Sequence, residues 1–330
     1  MTLTVRFHEL GGPEVLRLED LPEPKPREGE VLVRVEAIGL NRAEVNFRRG
    51  LYIEQPRALP SLIGYEAAGV VEATGPGVDG LREGDPVSVV PAFSMNDYGV
   101  YGERVVVPAT AVVRRPESVS STAGAAVWMA MLTVYGALVD IGGLRAGDAV
   151  VINAASSSVG LAAMRLVGHL GGLPIAVTRG SGKKEQLARL GAGAVVATDQ
   201  EDVVDAVLAA TDGRGARFVF DAVAGPGVRA LARTVAPGGT HFIHGTLSGQ
   251  PTPFPGAETM SAYAMRSYTL FEITKDPARL ATATAAITEG LVSGALDPVI
   301  DRTFPLTRIA DAHRYLESGV QVGKIVVTVG

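Results

Sequence analysis

The sequence of 330 residues contains no cysteine. This absence excludes disulfides, iron–sulfur clusters, zinc sites built on thiolates and a cysteine nucleophile. It also favours a reducing, cytoplasmic setting. The N-terminal segment gives the same expectation, because it lacks the basic start and the apolar run of a signal peptide.

Aromatic residues are scarce at 5%, and basic residues do not outnumber acidic ones: 30 stand against 35, for a net charge of −5. Since no basic stripe stands out, we expect no nucleic-acid partner. The longest uncharged window, residues 118–139, reaches the length of a membrane span but carries several serines, threonines and glycines. We interpret it as a buried helix and expect no membrane partner.

Apolar residues make up 47% of the chain, charged residues 20%, and glycines number 40. This composition is typical of a soluble globular enzyme, and the length suggests about two domains.

The pattern of apolar residues, glycines and prolines divides the chain into three segments. Residues 2–120 show short apolar runs broken by Gly and Pro, which predict strands of an antiparallel barrel or sandwich. Residues 121–267 repeat a pattern of strand, turn and helix, which predicts βαβ units and a parallel sheet. Residues 268–330 predict two helices and a closing strand that return to the first domain. The expected α/β architecture therefore has a discontinuous β-rich domain, 1–120 with 268–330, and a doubly wound domain, 121–267.

The turn after the predicted strand 148–153 has the position of a dinucleotide-binding turn. In the G-x-G-x-x-G pattern, backbone N–H groups and the helix dipole meet the pyrophosphate. The corresponding residues here are Ala155, Ser157 and Gly160, so only the last glycine is present. The serines of this turn could alternatively just cap a helix. The position in the first βαβ unit favours a dinucleotide site.

The fingerprint expects an acidic residue about 20 positions later, where it binds the ribose of NAD. At that distance the sequence has Arg179, followed by Lys183 and Lys184. A guanidinium pairs with a 2′-phosphate, whereas an acid repels it, so we predict NADPH as the cofactor. The alternative is a solvated basic turn.

Several segments together resemble the medium-chain dehydrogenase/reductase superfamily and, within it, the zinc-free quinone oxidoreductases. They are GLNRAEVNFRRGLY at 39–52, GYEAAGVVEATGPG at 64–77, the AASSSVGLAA turn, FDAVAGPG, GTLSGQPTPFP and the terminal VGKIVVTV. The resemblance covers essentially the whole chain. It implies a GroES-like substrate domain at both ends, a Rossmann domain between them, an active-site cleft where they meet, and a homodimer formed through the Rossmann sheets.

The resemblance also implies that the catalytic metal of the zinc-bearing relatives is missing. Their first ligand position falls near Asn41, and their GHE motif reads Gly64-Tyr65-Glu66 here. The five histidines do not replace these ligands, since His241 and His244 on a predicted strand should face opposite sides. We therefore expect no metal site and zinc-independent chemistry.

The resemblance implies three catalytic residues: Tyr52, Asn41 and Tyr65. Tyr52 lies where the quinone reductases and the 2-enoyl-thioester reductases of the superfamily carry a tyrosine, which in the latter is considered a proton donor. Each has an alternative role: Tyr52 in packing, Asn41 as a turn residue, and Tyr65 as filler of the vacated ligand position. Glu44 and Asn46 stand where many quinone reductases carry Asp and Tyr, so the substrate pocket need not match theirs.

The predicted cofactor contacts combine the turn, the basic segment and positions carried over from the family. They are Asn41, Thr133, Ala155, Ser156, Ser157, Ser158, Val159, Gly160, Thr178, Arg179, Lys183, Thr198, His244, Gly245, Thr246 and Lys324.

The leading hypothesis is an NADPH-dependent oxidoreductase that transfers hydride to a small molecule, a quinone or an α,β-unsaturated carbonyl. Two alternatives stay open. One is a trans-acting 2-enoyl-thioester reductase of fatty-acid or polyketide synthesis, and the other is an NADPH-binding protein without reductase activity.

Overall fold

A computed structural model describes residues 1–256 and 262–330 and divides the chain into two compact units. The first unit consists of Met1–Met129 and Thr284–Gly330, and the second of Ala130–Ala283. None of the helices within the described residues combines the length and apolar character needed to cross a membrane.

The elements follow in chain order. The first stretch contains β1 (Thr2–Phe7), β2 (Leu16–Leu21), β3 (Glu30–Gly39), α1 (Arg42–Arg48), β4 (Glu66–Thr74), β5 (Pro86–Val89), β6 (Arg104–Pro108), β7 (Val112–Arg114), α2 (Ser121–Gly124) and α3 (Trp128–Val134). The middle contains β8 (Ala149–Asn153), α4 (Ser158–His169), β9 (Leu173–Thr178), α5 (Lys184–Arg189), β10 (Ala194–Ala197), α6 (Val203–Ala210), β11 (Ala216–Asp221), α7 (Val228–Ala232), β12 (Val235–Ile243), β13 (Ala264–Ser267) and α8 (Phe271–Thr274). The last stretch contains α9 (Pro277–Val292), β14 (Ile300–Pro305), α10 (Ile309–Ser318) and β15 (Lys324–Thr328).

The first unit is built on a seven-stranded sheet in the order β14-β15-β3-β4-β5-β7, with β6 also paired to β3. All its pairings are antiparallel except that of β14 with β15. The C-terminal strand β15 pairs with β3, so the end of the chain returns to the first domain as expected. This return brings Lys324, the first residue of β15, beside segments from the start of the chain.

The helix α1 interrupts a region whose sequence pattern predicts strands. Asn41 and Glu44 have the spacing of an N-cap and the third helical residue, and Glu44 Oε2 accepts a hydrogen bond from the Asn41 N–H at 2.7 Å. This capping interaction satisfies a backbone donor at the start of the helix, so a helix of seven residues forms here.

The second unit is a six-stranded, all-parallel sheet in the order β10-β9-β8-β11-β12-β13. Numbered within the unit, this is the order 3-2-1-4-5-6 of a dinucleotide-binding fold. The order reverses between β8 and β11, and ligands of such sheets bind outside the carboxyl ends of the strands at that point. The predicted α/β class, with a GroES-like domain and a Rossmann domain, is confirmed.

The units divide later in the chain than the boundaries expected at 120 and 267. On the first side, Ala125 and Ala126 pack against Ala37, Ala68 and Val326 of the antiparallel sheet. Small side chains allow this close packing, which joins the residues just after 120 to the first unit.

On the second side, the residues after β13 continue the parallel-sheet unit. Tyr268 is buried, packs edge-on against Phe242 with ring centroids 6.4 Å apart, and donates its hydroxyl to the Leu132 carbonyl at 3.4 Å. The window 118–139, expected as one buried helix, is divided between α2, α3 and a π-helical segment, Tyr135–Ile141.

Candidate active site

A cluster of buried charged residues lies in the first unit around the N-terminus of α1. Lys324 Nζ donates to Asn41 Oδ1 at 2.5 Å and forms an ion pair with Glu66 Oε1. Asn41 Nδ2 lies 3.0 Å from Glu66 Oε1 and 3.2 Å from Glu44 Oε1. Three of these side chains are essentially inaccessible to solvent, and Asn41 is 7% exposed. Asn41, at the centre of this cluster, therefore orients both carboxylates and the ammonium.

The two carboxylates of this cluster also bind the backbone. Glu44 Oε1 accepts from the Tyr65 N–H at 3.2 Å, and Glu66 Oε2 accepts from the Met129 N–H at 2.9 Å. Burial raises the pKa of Glu44 to about 7, although Lys324 and the hydrogen bond from Asn41 act in the opposite direction. The cluster thus changes charge near neutral pH.

Tyr52 and Tyr65, two of the predicted catalytic residues, lie side by side. Their ring centroids are 6.1 Å apart, and each phenol acts on the pKa of the other. Tyr65 is fully buried and packs against Phe93, whereas Tyr52 is partly exposed. Burial raises the pKa of both phenols above the usual value, so both hold their protons at neutral pH.

The structure therefore brings the three predicted catalytic residues into one neighbourhood. Glu44 is the link, because it binds both the side chain of Asn41 and the backbone of Tyr65. Lys324, predicted as a cofactor contact, is buried in the same cluster, where Glu66 and Asn41 already bind its ammonium. The cofactor roles of Asn41 and Lys324 stay predictions.

In the second unit, the turn between β8 and α4 has the geometry that a dinucleotide site requires. Ala154 adopts a positive φ of 54°, an uncommon conformation for a residue with a Cβ. Ser157 caps α4, and its hydroxyl accepts from the Gly160 N–H at 3.0 Å. A Cβ on Gly160 would lie 2.6 Å from both Cα and O of Ala155, so only glycine fits there. The turn therefore lies close against the helix, which is the packing that the third glycine of the fingerprint permits.

The predicted phosphate contacts of two segments meet at this turn. Lys183 Nζ donates to Ser156 Oγ at 3.3 Å, which joins the basic segment after β9 to the turn after β8. Arg179 is exposed at the end of β9. Asp199, after β10, accepts from both the backbone N–H and the hydroxyl of Ser181, at 3.1 and 3.2 Å. Asp199 therefore holds the basic segment in place.

A second buried ionic group lies at the carboxyl ends of β8, β11 and β12. Asp221 Oδ1 accepts from Asn153 Nδ2 at 2.9 Å and from the N–H groups of Val223 and Ala224 at 2.8 and 3.2 Å. Asp221 Oδ2 lies 3.2 Å from His241 Nε2. Burial acts to raise the pKa of Asp221, but these hydrogen bonds outweigh it and hold the pKa below its usual value. This network ties β8 to β11 where the strand order reverses.

The other predicted cofactor contacts are spread over the second unit. His244 lies just after β12 and stacks on Phe220 with ring centroids 3.9 Å apart. Burial lowers the pKa of His244 to about 4, so its imidazole is neutral at pH 7. Gly245 follows His244. A Cβ on Gly245 would lie 2.7 Å from the Ala222 carbonyl oxygen, so a larger residue does not fit there. The remaining positions are Thr133 in α3, Ser158 and Val159 in α4, Thr178 at the end of β9, Thr198 after β10 and Thr246 after β12.

In residues 1–256 and 262–330, no three side chains of His, Cys, Asp or Glu are grouped so that they could hold a metal ion. By the motif resemblance, Tyr65 stands where the zinc-bearing relatives carry a histidine ligand, and its hydroxyl donates to Glu54 Oε1 at 3.1 Å. The first unit thus has a hydroxyl group at this position.

Sequence reasoning missed the residues that organise both groups. Glu44 carried a usable signal, since Asn41 and Glu44 have capping-box spacing. Asp221 ends a predicted strand, and an acid there is a common feature of ligand-binding edges. Glu54 has no local signal, because only the folded chain brings it to Tyr65.

Comparison with known proteins agrees with this geometry. Residues 27–117 match the family model of the alcohol dehydrogenase GroES-like domain, and residues 190–327 match that of the zinc-binding dehydrogenase. A human quinone oxidoreductase is 30% identical over 320 residues, which are 96% of this chain and 94% of the human one. The crystal structure of Escherichia coli quinone oxidoreductase complexed with NADPH superposes with a TM-score of 0.90 at 26% identity, covering 99% of each chain.

A third relative is part of a much larger protein. A phenolphthiocerol/phthiocerol polyketide synthase of Mycobacterium tuberculosis is 30% identical over 327 residues, which are 98% of this chain but 15% of that protein. The resemblance inferred from the motifs is confirmed: the chain belongs to the medium-chain dehydrogenase/reductase superfamily and, within it, to the quinone oxidoreductases.

Proposed function

We propose that this protein is a zinc-independent, NADPH-dependent reductase that transfers hydride to a quinone or to an α,β-unsaturated carbonyl. The observation that carries the proposal is the adjacent pair Tyr52 and Tyr65, in which a phenol takes the position of the family's histidine ligand. Hydride addition to a conjugated acceptor places developing charge on an oxygen, and hydrogen-bond donors with a proton source stabilise that charge.

NADPH fits the residues of the turn after β8. Gly160 permits the close approach of helix and turn, and the N-terminus of α4 offers backbone N–H groups to a pyrophosphate. Lys183 beside Ser156 supplies positive charge at the same place, and Arg179 is exposed to pair with a 2′-phosphate. The NADPH complex of the Escherichia coli relative supports the same assignment.

The bound nicotinamide supplies the hydride, and Tyr52 of the first unit donates the proton. The raised pKa of Tyr52 keeps its phenol protonated, so it serves as a donor and not as a base. Tyr65 packs beside Tyr52, and because its only proton goes to Glu54 Oε1, its oxygen can act towards Tyr52 only as an acceptor in the resting protein. Glu44 accepts from the Asn41 N–H at the start of α1 and from the Tyr65 N–H, and so holds both segments.

Rapid mixing of the protein and NADPH with a panel of quinones and 2-enones tests this function directly. We expect oxidation of NADPH with at least one acceptor, at a rate that a metal chelator leaves unchanged. No turnover with any acceptor, or loss of turnover with chelator, would contradict the proposal.

The cofactor preference has its own test. Arg179→Glu should lower kcat/KM for NADPH and spare that for NADH, because the new carboxylate repels a 2′-phosphate. Arg189→Glu, at another exposed arginine of the same unit, is the matched control and should change neither value. An unchanged preference in Arg179→Glu would remove this residue from the cofactor site.

A 2-enoyl-thioester reductase is the second candidate, favoured by the similarity to a segment of the mycobacterial polyketide synthase. Faster reduction of a short 2-enoyl thioester than of any enone or quinone would favour it, with a strong loss of rate in Tyr52→Phe. Tight NADPH binding without reduction of any acceptor would instead favour a cofactor-binding protein without reductase activity.

A further inference from the structure

Glu54 lies at the solvent end of a row of polar side chains that starts at Tyr52. Tyr52 packs beside Tyr65 with ring centroids 6.1 Å apart, and Tyr65 Oη donates to Glu54 Oε1 at 3.1 Å. Tyr65 is fully buried, so its hydroxyl has no direct exchange with water. Glu54 is partly exposed and therefore connects this row to solvent.

The carboxylate of Glu54 is held in one orientation. Its Oε2 accepts from Ser94 Oγ at 2.6 Å and from Asn96 Nδ2 at 3.4 Å, which directs Oε1 to Tyr65. Asn96 Nδ2 also donates to the Gln55 carbonyl at 2.9 Å and so fixes the backbone next to Glu54. An incidental surface carboxylate would not be held by two side chains and a neighbouring backbone contact.

The other carboxylate near Tyr52 cannot serve the same purpose. Glu44 is fully buried, and its oxygens are occupied by Asn41 and by the backbone of Tyr65. Of the two acids whose charge acts on Tyr52, Glu44 and Glu54, only Glu54 reaches solvent.

We propose that Glu54 and Tyr65 form a proton relay that reloads Tyr52 from solvent during the reduction of conjugated alkenes. This inference rests on the proposed reductase function and adds a path for the proton. A hydroxyl is both donor and acceptor, so a chain of two hydroxyls ending in a carboxyl group can pass a proton by reorienting.

The hydride pair from NADPH forms a C–H bond at the β-carbon of the alkene, and the O–H bond of Tyr52 breaks as its proton goes to the resulting enolate. The phenolate of Tyr52 takes the proton of Tyr65, and Tyr65 takes a proton that the Glu54 carboxylate receives from hydronium or a buffer acid. Glu54 is a carboxylate again at the end, so each turnover consumes one NADPH and one solvent proton.

Quinones do not need this relay. Hydride transfer to a quinone leaves a hydroquinone anion, which can dissociate and take its proton from water. The relay therefore predicts that enone and quinone turnover respond differently to the loss of Glu54.

The test is Glu54→Gln, with Glu30→Gln as the matched control. Glu30 is a partly exposed glutamate of the same unit that accepts from another phenol, Tyr98 Oη, at 2.9 Å. We expect Glu54→Gln to lower kcat for a 2-enone about tenfold, as loss of an assisted proton transfer does, with KM and quinone turnover unchanged. The solvent deuterium isotope effect on kcat should rise above that of the wild type, and Glu30→Gln should match the wild type throughout.

Chemical rescue separates a relay from a structural role. Imidazole buffer should restore enone turnover in Glu54→Gln in proportion to imidazolium concentration, because a small acid can replace the carboxyl group where the chain meets solvent. Tyr65→Phe should show the same defect without rescue, since the chain is then interrupted at a buried position. Thermal unfolding of each variant at the wild-type temperature checks that it is folded.

Three results would contradict the relay, and one of them would also contradict the reductase function. If the wild type reduces enones and Glu54→Gln equals Glu30→Gln, or loses activity without rescue or an altered isotope effect, the relay is wrong and the reductase function stands. If the wild type reduces quinones but no conjugated alkene, the relay is also wrong, because no acceptor requires it. If the wild type reduces neither class, both proposals fail.

Discussion

The two units each bury an ionic group, and the carboxylates in them behave in opposite ways. In the first unit, Glu44 and Glu66 share one ammonium, that of Lys324, and the pKa of Glu44 rises to about 7. In the second unit, Asp221 is buried as completely, yet its pKa falls below the usual value.

The difference lies in the donors that each carboxylate receives. Asp221 accepts from two backbone N–H groups, the amide of Asn153 and the imidazole of His241. Glu44 accepts two backbone N–H groups and one shared amide hydrogen bond, and lies near the like charge of Glu66. Burial disfavours the charged form in both places, and the hydrogen-bond donors together with the neighbouring charges decide whether the pKa ends above or below its usual value. Asp221 in the second unit therefore stays ionised at neutral pH, whereas Glu44 in the first unit gains or loses its proton near pH 7.

The largest effect is expected from Asp221→Ala, which removes the acceptor at the centre of the second group. The histidine, the asparagine and two N–H groups lose their partner, and the cost of breaking such a buried pair is about 5 kcal/mol. Urea denaturation should show this loss in the free energy of unfolding. Asp205→Ala, at an exposed aspartate of the same unit, is the control and should change stability little. A similar small change in Asp221→Ala would mean that its donors find other partners.

Lys324→Met should be the next most destabilising change, by about 4 kcal/mol, because it leaves two buried carboxylates without a cation. The loss should be greater at pH 8 than at pH 5, since Glu44 is protonated at the lower pH. Adding Glu66→Gln should recover much of the stability, because the remaining acid can be neutral. A double variant no more stable than Lys324→Met would show that the lysine acts through packing instead of charge.

Glu44→Gln tests whether Glu44 changes its protonation state near neutral pH. The pKa of Glu44 is about 7 in the folded protein and about 4.3 in an unfolded chain, so between these values the folded state holds the extra proton. The contribution of Glu44 to stability is therefore present at low pH and is lost as pH rises through this window, by about 4 kcal/mol in total. The neutral glutamine avoids this loss, so the variant should gain stability relative to the wild type from pH 4 to pH 8.

The histidines change stability in the same pH range but with the opposite sign. The pKa values of His244 and His313 are lowered by burial to about 4 and about 3, so their contribution is lost as pH falls below about 6.5. These effects cancel in the difference between Glu44→Gln and the wild type, each measured by urea denaturation. Glu28→Gln, at an exposed glutamate, should give a difference that does not vary with pH. A flat difference for Glu44→Gln would mean that Glu44 is ionised throughout.

Local patterns predicted much of this protein. The alternation of apolar residues predicts β6, in which Val105 and Val107 are buried, and the strand–turn–helix rhythm predicts the parallel sheet. The steric role of Gly160 also follows from its place in the turn. The helix α1 was missed because strand-like neighbours surround it, although the capping signal of Asn41 and Glu44 was present.

The domain boundaries and the ionic groups could not be predicted in this way. The boundary after 120 depends on how Ala125 and Ala126 pack on a distant sheet, which no local pattern records. Asn41 and Lys324 are 283 residues apart in sequence, and Tyr65 and Glu54 meet only because both segments pack beside Phe93 and Ser94.

The sequence by itself determined the periodicities of the strands and helices, the absence of thiolate chemistry and the phenol at the family's ligand position. Each of these depends on residue identity and near neighbours alone. Only the tertiary structure decided which carboxylate has a raised pKa, which phenols lie side by side and where the Tyr65–Glu54 hydrogen bond reaches water. A pKa or a hydrogen bond depends on burial and on donors from distant segments, and folding alone brings those together.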